Sequence, residues 1–147
     1  METIYPFAHI VHLVLAIIFL GYVFFDVIIF PVVKKRVGEE KAKEVKQAIS
    51  SRTIHIMPYA VIALILTGGM MMTHFVSSKL GWFNTPMQQL FMLKVLFATI
   101  IALGITFSIS YRKITGKPNA LTAKYLHPLA LVLGFFIIVL AKAMFIV

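Results

Sequence analysis

The sequence predicts an all-α fold: a polytopic membrane protein built as an up-down bundle of four transmembrane helices, one domain over residues 1–147. Three observations predict it. Four apolar runs, about 7–33, 54–76, 90–111 and 128–147, take up most of the 147 residues, and each is long enough to cross a hydrocarbon core of about 30 Å as a helix rising about 1.5 Å per residue. The composition is 61% hydrophobic and only 13% charged, outside the range of a water-soluble domain. The remaining charge falls mainly between the runs.

Taken in order, the first run follows Met1 to Pro6, which carries no Lys or Arg, and no small-residue cleavage site follows it. It is therefore expected to remain as a span rather than to act as a signal peptide. The charged stretch 34–52 places Val37, Val45, Ala48 and Ile49 at helix spacing among Lys and Glu, so it reads as a helix prolonging span one or two. Gly81, Asn84 and Pro86 punctuate the loop after span two, where Trp82 and Phe83 suit the headgroup layer. Gly116, Pro118 and Asn119 punctuate the loop between spans three and four. No internal repeat or low-complexity segment interrupts the pattern.

The formal net charge is +9, and its placement excludes the obvious nucleic-acid reading. Lys34, Lys35, Arg36, Lys41, Lys43, Lys46 and Arg52 lie between spans one and two, and Arg112, Lys113, Lys117 and Lys124 between spans three and four. The opposite loop has only Lys79. The positive-inside rule puts both basic loops in the cytoplasm and both termini outside. Attraction to anionic lipid headgroups accounts for the charge without a nucleic-acid partner.

Cysteine is absent, so disulfides, thiolate metal sites and a Cys nucleophile are excluded and any ligand must be His, Met or carboxylate. The ionisable residues sort into two layers. His9, His12, His74, Lys94 and Lys142 form an outer one; Asp26, Arg52, His55 and His127 form an inner one. Charge inside a bilayer is costly, which makes a functional reading the default, although long side chains near a span's end snorkel to water. Asp26 has too short a side chain to do so.

His55 and His127 enter different helices at similar depth, as axial ligation of a haem b requires. Ala130, Gly134 and Ala141 share a face with His127, leaving room for a flat cofactor or for a close neighbouring helix. His9 and His12, three apart, share a face and are candidate ligands with His74. Met70, Met71 and Met72 add thioethers beside His74, a donor set that favours copper, particularly Cu(I); plain apolar filling is the alternative. Lys94 and Lys142 are the catalytic candidates, suited to the carboxylates of a haem or porphyrin or to a quinone oxygen, and otherwise ordinary anchors. No nucleophile elbow, phosphate-cradling loop, zinc-protease helix or carboxylate pair is present, which argues against hydrolysis and phosphoryl transfer.

The first run, with His12 nine residues before Gly21 and then Phe24-Phe25-Asp26 and Pro31, resembles the first helix of the CopD (copper-resistance D) domain. Thr67-Gly68-Gly69 resembles a step in that domain's second helix. Gly81-Trp82 with Leu93-Lys94-Val95-Leu96, and Pro128 followed by Lys142, resemble the third and fourth helices of the related HemJ-type protoporphyrinogen oxidases. The HemJ resemblance implies a b-type haem, a first-helix His ligand at His9 or His12, a functional Lys at Lys94, and a haem-dependent oxidoreductase acting on a porphyrin. The chain departs from that pattern at Phe25-Asp26-Val27, where HemJ continues Leu-Pro-Arg, and at Leu126-His127, where it has Asn-Glu. The CopD resemblance implies copper passage across a bacterial inner membrane, with the outer side periplasmic. A membrane haem redox protein is thus the first expectation and a copper transporter or copper-binding protein the second. A homodimer is open to either.

Overall fold

The computed structural model describes residues 4–147. In order, the chain forms α1 (Ile4–Phe24), a π-helical turn (Phe25–Ile29), α2 (Phe30–Val37), α3 (Glu39–Phe75), α4 (Pro86–Thr115) and α5 (Ala120–Ala143). Four continuous helices, Ile4–Val37, Glu39–Phe75, Pro86–Thr115 and Ala120–Ala143, are long and apolar enough to cross a membrane. Among the described residues there is no strand, only one isolated bridge between Ser77 and Gly81. Helix is what the solvent dictates, because a bilayer offers no partner for an unpaired backbone group. The most apolar window of each helix is no more than 11% buried within the chain. Phe7, Ile17, Leu103 and Phe135 are among the exposed apolar side chains, which fits helices solvated by lipid.

The stretch 34–52 is helical, as its spacing predicts, and it prolongs both flanking spans. Gly38, with φ +84°, ends α2 in a conformation that favours glycine, and α3 starts on the next residue. α3 then runs unbroken for 37 residues with Pro58 inside it. The fourth span differs from its expected bounds. It starts at Ala120, where the Asn119 side chain accepts from the backbone N–H groups of Leu121 and Thr122, and it ends at Ala143. Pro128 therefore lies inside a helix instead of opening one. Membrane helices tolerate this because neighbouring groups satisfy the freed carbonyl.

By its contacts the chain divides into two compact units, Met1–Gly68 and Gly69–Val147. In the first, Val23, Phe30, Ala42 and Ala60 are buried. The Lys46 ammonium lies 3.4 Å from an Asp26 carboxylate oxygen and over the Phe30 ring. In the second, Val76, Phe91 and Met144 form a buried apolar cluster, with Met72, Phe75, Met87 and Leu90 packed against it. α4 and α5 pair closely there. Leu126 reaches the bare backbone of Gly104 so closely that a Cβ on that glycine would meet its Cδ1 at 2.7 Å.

The turn between α3 and α4 is built around Gln88. Its side-chain NH2 donates to the carbonyls of Phe75, Leu80 and Gly81, and its carbonyl accepts from the backbone of Asn84 and Thr85. Thr85 caps α4 by accepting from the Gln88 backbone N–H, closing a reciprocal capping box with Pro86 in the first turn. A buried amide is thus fully satisfied by the loop that it orders.

Candidate functional site

The structure ties the His12 imidazole to a second helix. α1 begins at Ile4 and α3 ends at Phe75, so His12 and Thr67 each lie eight residues, about 12 Å, inside the outer end of their helix. At that depth the His12 ring is half-buried, and Nδ1 lies 2.8 Å from Thr67 Oγ1. Thr67 Oγ1 in turn lies 2.7 Å from the carbonyl of Ala63, one turn back in α3. A carbonyl only accepts, so the single hydroxyl proton of Thr67 points at Ala63. The Thr67 oxygen then accepts from His12, which places a proton on Nδ1 and makes Nε2 the ring nitrogen through which a metal would be held.

Gly68 completes the contact. A Cβ at this position would meet His12 Cε1 at 3.3 Å, tight enough that the ring would have to give by a few tenths of an ångström. The Thr67-Gly68 step of one helix therefore supplies an acceptor and a flat surface to the imidazole of another. Two fragments singled out separately in the sequence meet here; Thr67, named there only within a resemblance, is the residue that His12 contacts.

The other candidates are placed as follows. His9 is exposed, one turn before His12, with its ring 5.9 Å from that of Tyr5. His55 is exposed on α3 in the first unit, and His127 is half-buried on α5 in the second. Gly134 is buried on the face of α5 that also carries Leu126 and Ala130. Since Leu126 reaches Gly104 of α4, this small-residue face serves helix packing. Met70 and His74 are both exposed, one turn apart on the same face of α3, and His74 stands edge-on to Phe75. Met72 instead packs against the apolar cluster.

Lys94 is half-buried, its ammonium 4.6 Å from the centre of the Phe91 ring. Lys142 is exposed in the last turn of α5. Among the described residues no three His, Cys, Asp or Glu side chains come together. An open, largely apolar groove of about 540 Å³ runs along α4 between Phe83 and Thr99. It is lined by neither imidazole nor ammonium.

Comparison with known protein families, with characterised proteins and with solved structures finds no match. The class of protein that the fold defines is an all-α, multi-pass membrane protein.

Proposed function

We propose that the chain is an integral membrane redox protein that holds haem b through Nε2 of His12 and exchanges electrons with a porphyrin or quinone-like partner. The observation that carries this reading is the hydrogen-bonded series His12, Thr67, Ala63. Metal-binding histidines characteristically give their other ring N–H to a fixed acceptor, which sets tautomer and ring orientation. An imidazole inside a bilayer needs only one such partner to be satisfied; the added carbonyl behind Thr67 makes that partner an acceptor alone.

The donor set fits an iron porphyrin. A macrocycle supplies four nitrogens and asks one or two axial ligands of the protein, whereas an isolated transition metal ion commonly takes three or four. Haem, when bound, supplies one-electron chemistry. His12 binds, Thr67 orients, Gly68 lets the ring lie close to α3, and the apolar side chains of α1 exclude water. Lys94 and Lys142 are assigned to anionic groups, Lys94 foremost because its ammonium lies over an aromatic ring among apolar groups. The basic loops face the cytoplasm of a bacterial inner membrane, with Arg52, Arg112 and Lys113 at the level of anionic headgroups.

A copper-binding role is the second reading, favoured by Met70 and His74 sharing one exposed face of α3. Expression with ample haem, purification in mild detergent and an absorption spectrum separate the two. The haem reading expects a Soret band and a sharp reduced α band, both lost in His12→Ala. A colourless preparation that binds Cu(I), with binding lost in His74→Ala, would replace it. Colour unchanged by His12→Ala would remove His12 from the assignment.

A further inference from the structure

The two legs of the hairpin around Gly38 differ in polarity at the same level. Lys46 of α3 pairs with Asp26 and Lys34 pairs with Glu39, so residues 26–34 lie alongside 39–46. Over that length the first leg is apolar from 27 to 33, with Ile28, Ile29 and Val32 exposed, whereas the second carries Glu39, Glu40, Lys41, Lys43, Glu44 and Lys46. An apolar leg beside a charged one fits the edge of a bilayer, with the α2 side towards acyl chains and the α3 side towards water. On α2 the boundary then falls between Val33 and Lys34.

Just past that boundary α2 carries two uncommitted cations. Lys34 is engaged by Glu39 at 2.7 Å. Lys35 and Arg36 are exposed, neither makes an ion pair or side-chain hydrogen bond among the described residues, and α2 itself has no acid. At about 100° per residue, Val32 projects one turn back along the axis, about 60° from Lys35 and about 40° from Arg36, and so between them. It is 57% exposed. An apolar side chain followed by an ammonium and a guanidinium repeats the order of a phospholipid, acyl chain and then phosphate. A guanidinium takes a phosphate bidentately, and an ammonium adds a point charge. On α3 the balance differs: Lys41 lies three residues from Glu44, and Lys43 three and four residues from Glu40 and Glu39, whose charges offset theirs.

We infer that Lys35 and Arg36 form a site for the phosphate of an anionic phospholipid whose acyl chain lies against Val32. This goes beyond a general attraction of the basic loops to headgroups, because it expects a single saturable position on α2 and none on α3. It stands whether or not haem binds.

The test is native mass spectrometry of the full chain released from mild detergent, titrated with phosphatidylglycerol or with phosphatidylcholine of the same acyl chains. The expected result is retention of one phosphatidylglycerol, bound about tenfold or more tighter than phosphatidylcholine and not displaced by inorganic phosphate. Lys35→Gln combined with Arg36→Gln should weaken that binding by about tenfold or more, and Lys41→Gln combined with Lys43→Gln by less than about twofold. Should the first pair fail to accumulate in the membrane, Arg36→Gln alone carries the test, at about a fivefold loss. Equal retention of the two lipids, equal losses in the two pairs, displacement by inorganic phosphate, or binding unchanged when Lys35 and Arg36 are replaced would overturn the inference.

Discussion

In the first unit the side-chain bonds that reach α3 are polar: His12 of α1 to Thr67, and Asp26 of the π-helical turn to Lys46 near the basic end. In the second, the turn from α3 into α4 closes over an apolar cluster of Val76, Phe91 and Met144, and its one buried polar side chain, Gln88, spends all its capacity on the loop. Polar groups that satisfy backbone carbonyls and amides build structure. In the first unit an imidazole is instead held by a hydroxyl of a neighbouring helix. The contrast sets a polar contact between helices in the first unit against a loop anchor in the second.

Changes on the two sides of this comparison should separate cleanly. Gln88→Leu should have the largest effect, about 2–3 kcal/mol of stability, because it strands several loop carbonyls and amides together. Unfolding in mixed micelles would measure that loss, and the spectrum of bound haem should stay unchanged. Thr67→Val keeps the shape but removes the acceptor. It should weaken haem binding about 10- to 100-fold, the usual cost of losing an outer partner of a metal-binding histidine, as read by haem titration, with unfolding little affected. Thr67→Ser, which restores the hydroxyl, should recover most of it.

Gly68→Ala presses a methyl group on the His12 ring. An overpacking cost of about 1 kcal/mol corresponds to a roughly fivefold loss of haem affinity, and a shifted Soret maximum would report the displaced ring. The smallest effect concerns the Gly38 turn. Hydrogen bonding from Lys34, aided by its charge, holds the exposed Glu39 carboxyl below the usual carboxylate range. With a depressed folded value, the contact contributes fully above the ordinary carboxylate pKa of about 4.3 and is lost as pH falls through the lower one. Amide protection at the turn, taken relative to the intrinsic exchange rate at each pH, should therefore be flat near neutral pH and fall only in acid. Glu39→Gln should abolish that fall.

The four spans were legible because hydropathy and helix length are properties of a single run, and the helical stretch 34–52 because its spacing is local. Pro128 shows where such reading stops. In water a proline marks a helix boundary; in lipid the helix continues through it. The π-helical turn at Phe25–Ile29 follows no residue pattern that would have announced it. Gln88 was readable in part: Thr85-Pro86 with Gln three residues after the Thr is a capping signature, yet its reach back to Phe75 depends on the path of the loop. Histidine types and depths were visible, whereas the partner of His12 was not, since Thr67 lies 55 residues away and only the packing of α1 beside α3 joins them.

The most direct measurement is 15N NMR of histidine-labelled protein in lipid before haem is added, with His12 assigned by its loss in His12→Ala. The account predicts a neutral ring at pH 7 with a protonated, pyrrole-type Nδ1 and a pyridine-type Nε2, and a change in that pattern in Thr67→Val. A proton on Nε2, or an imidazolium, would contradict it.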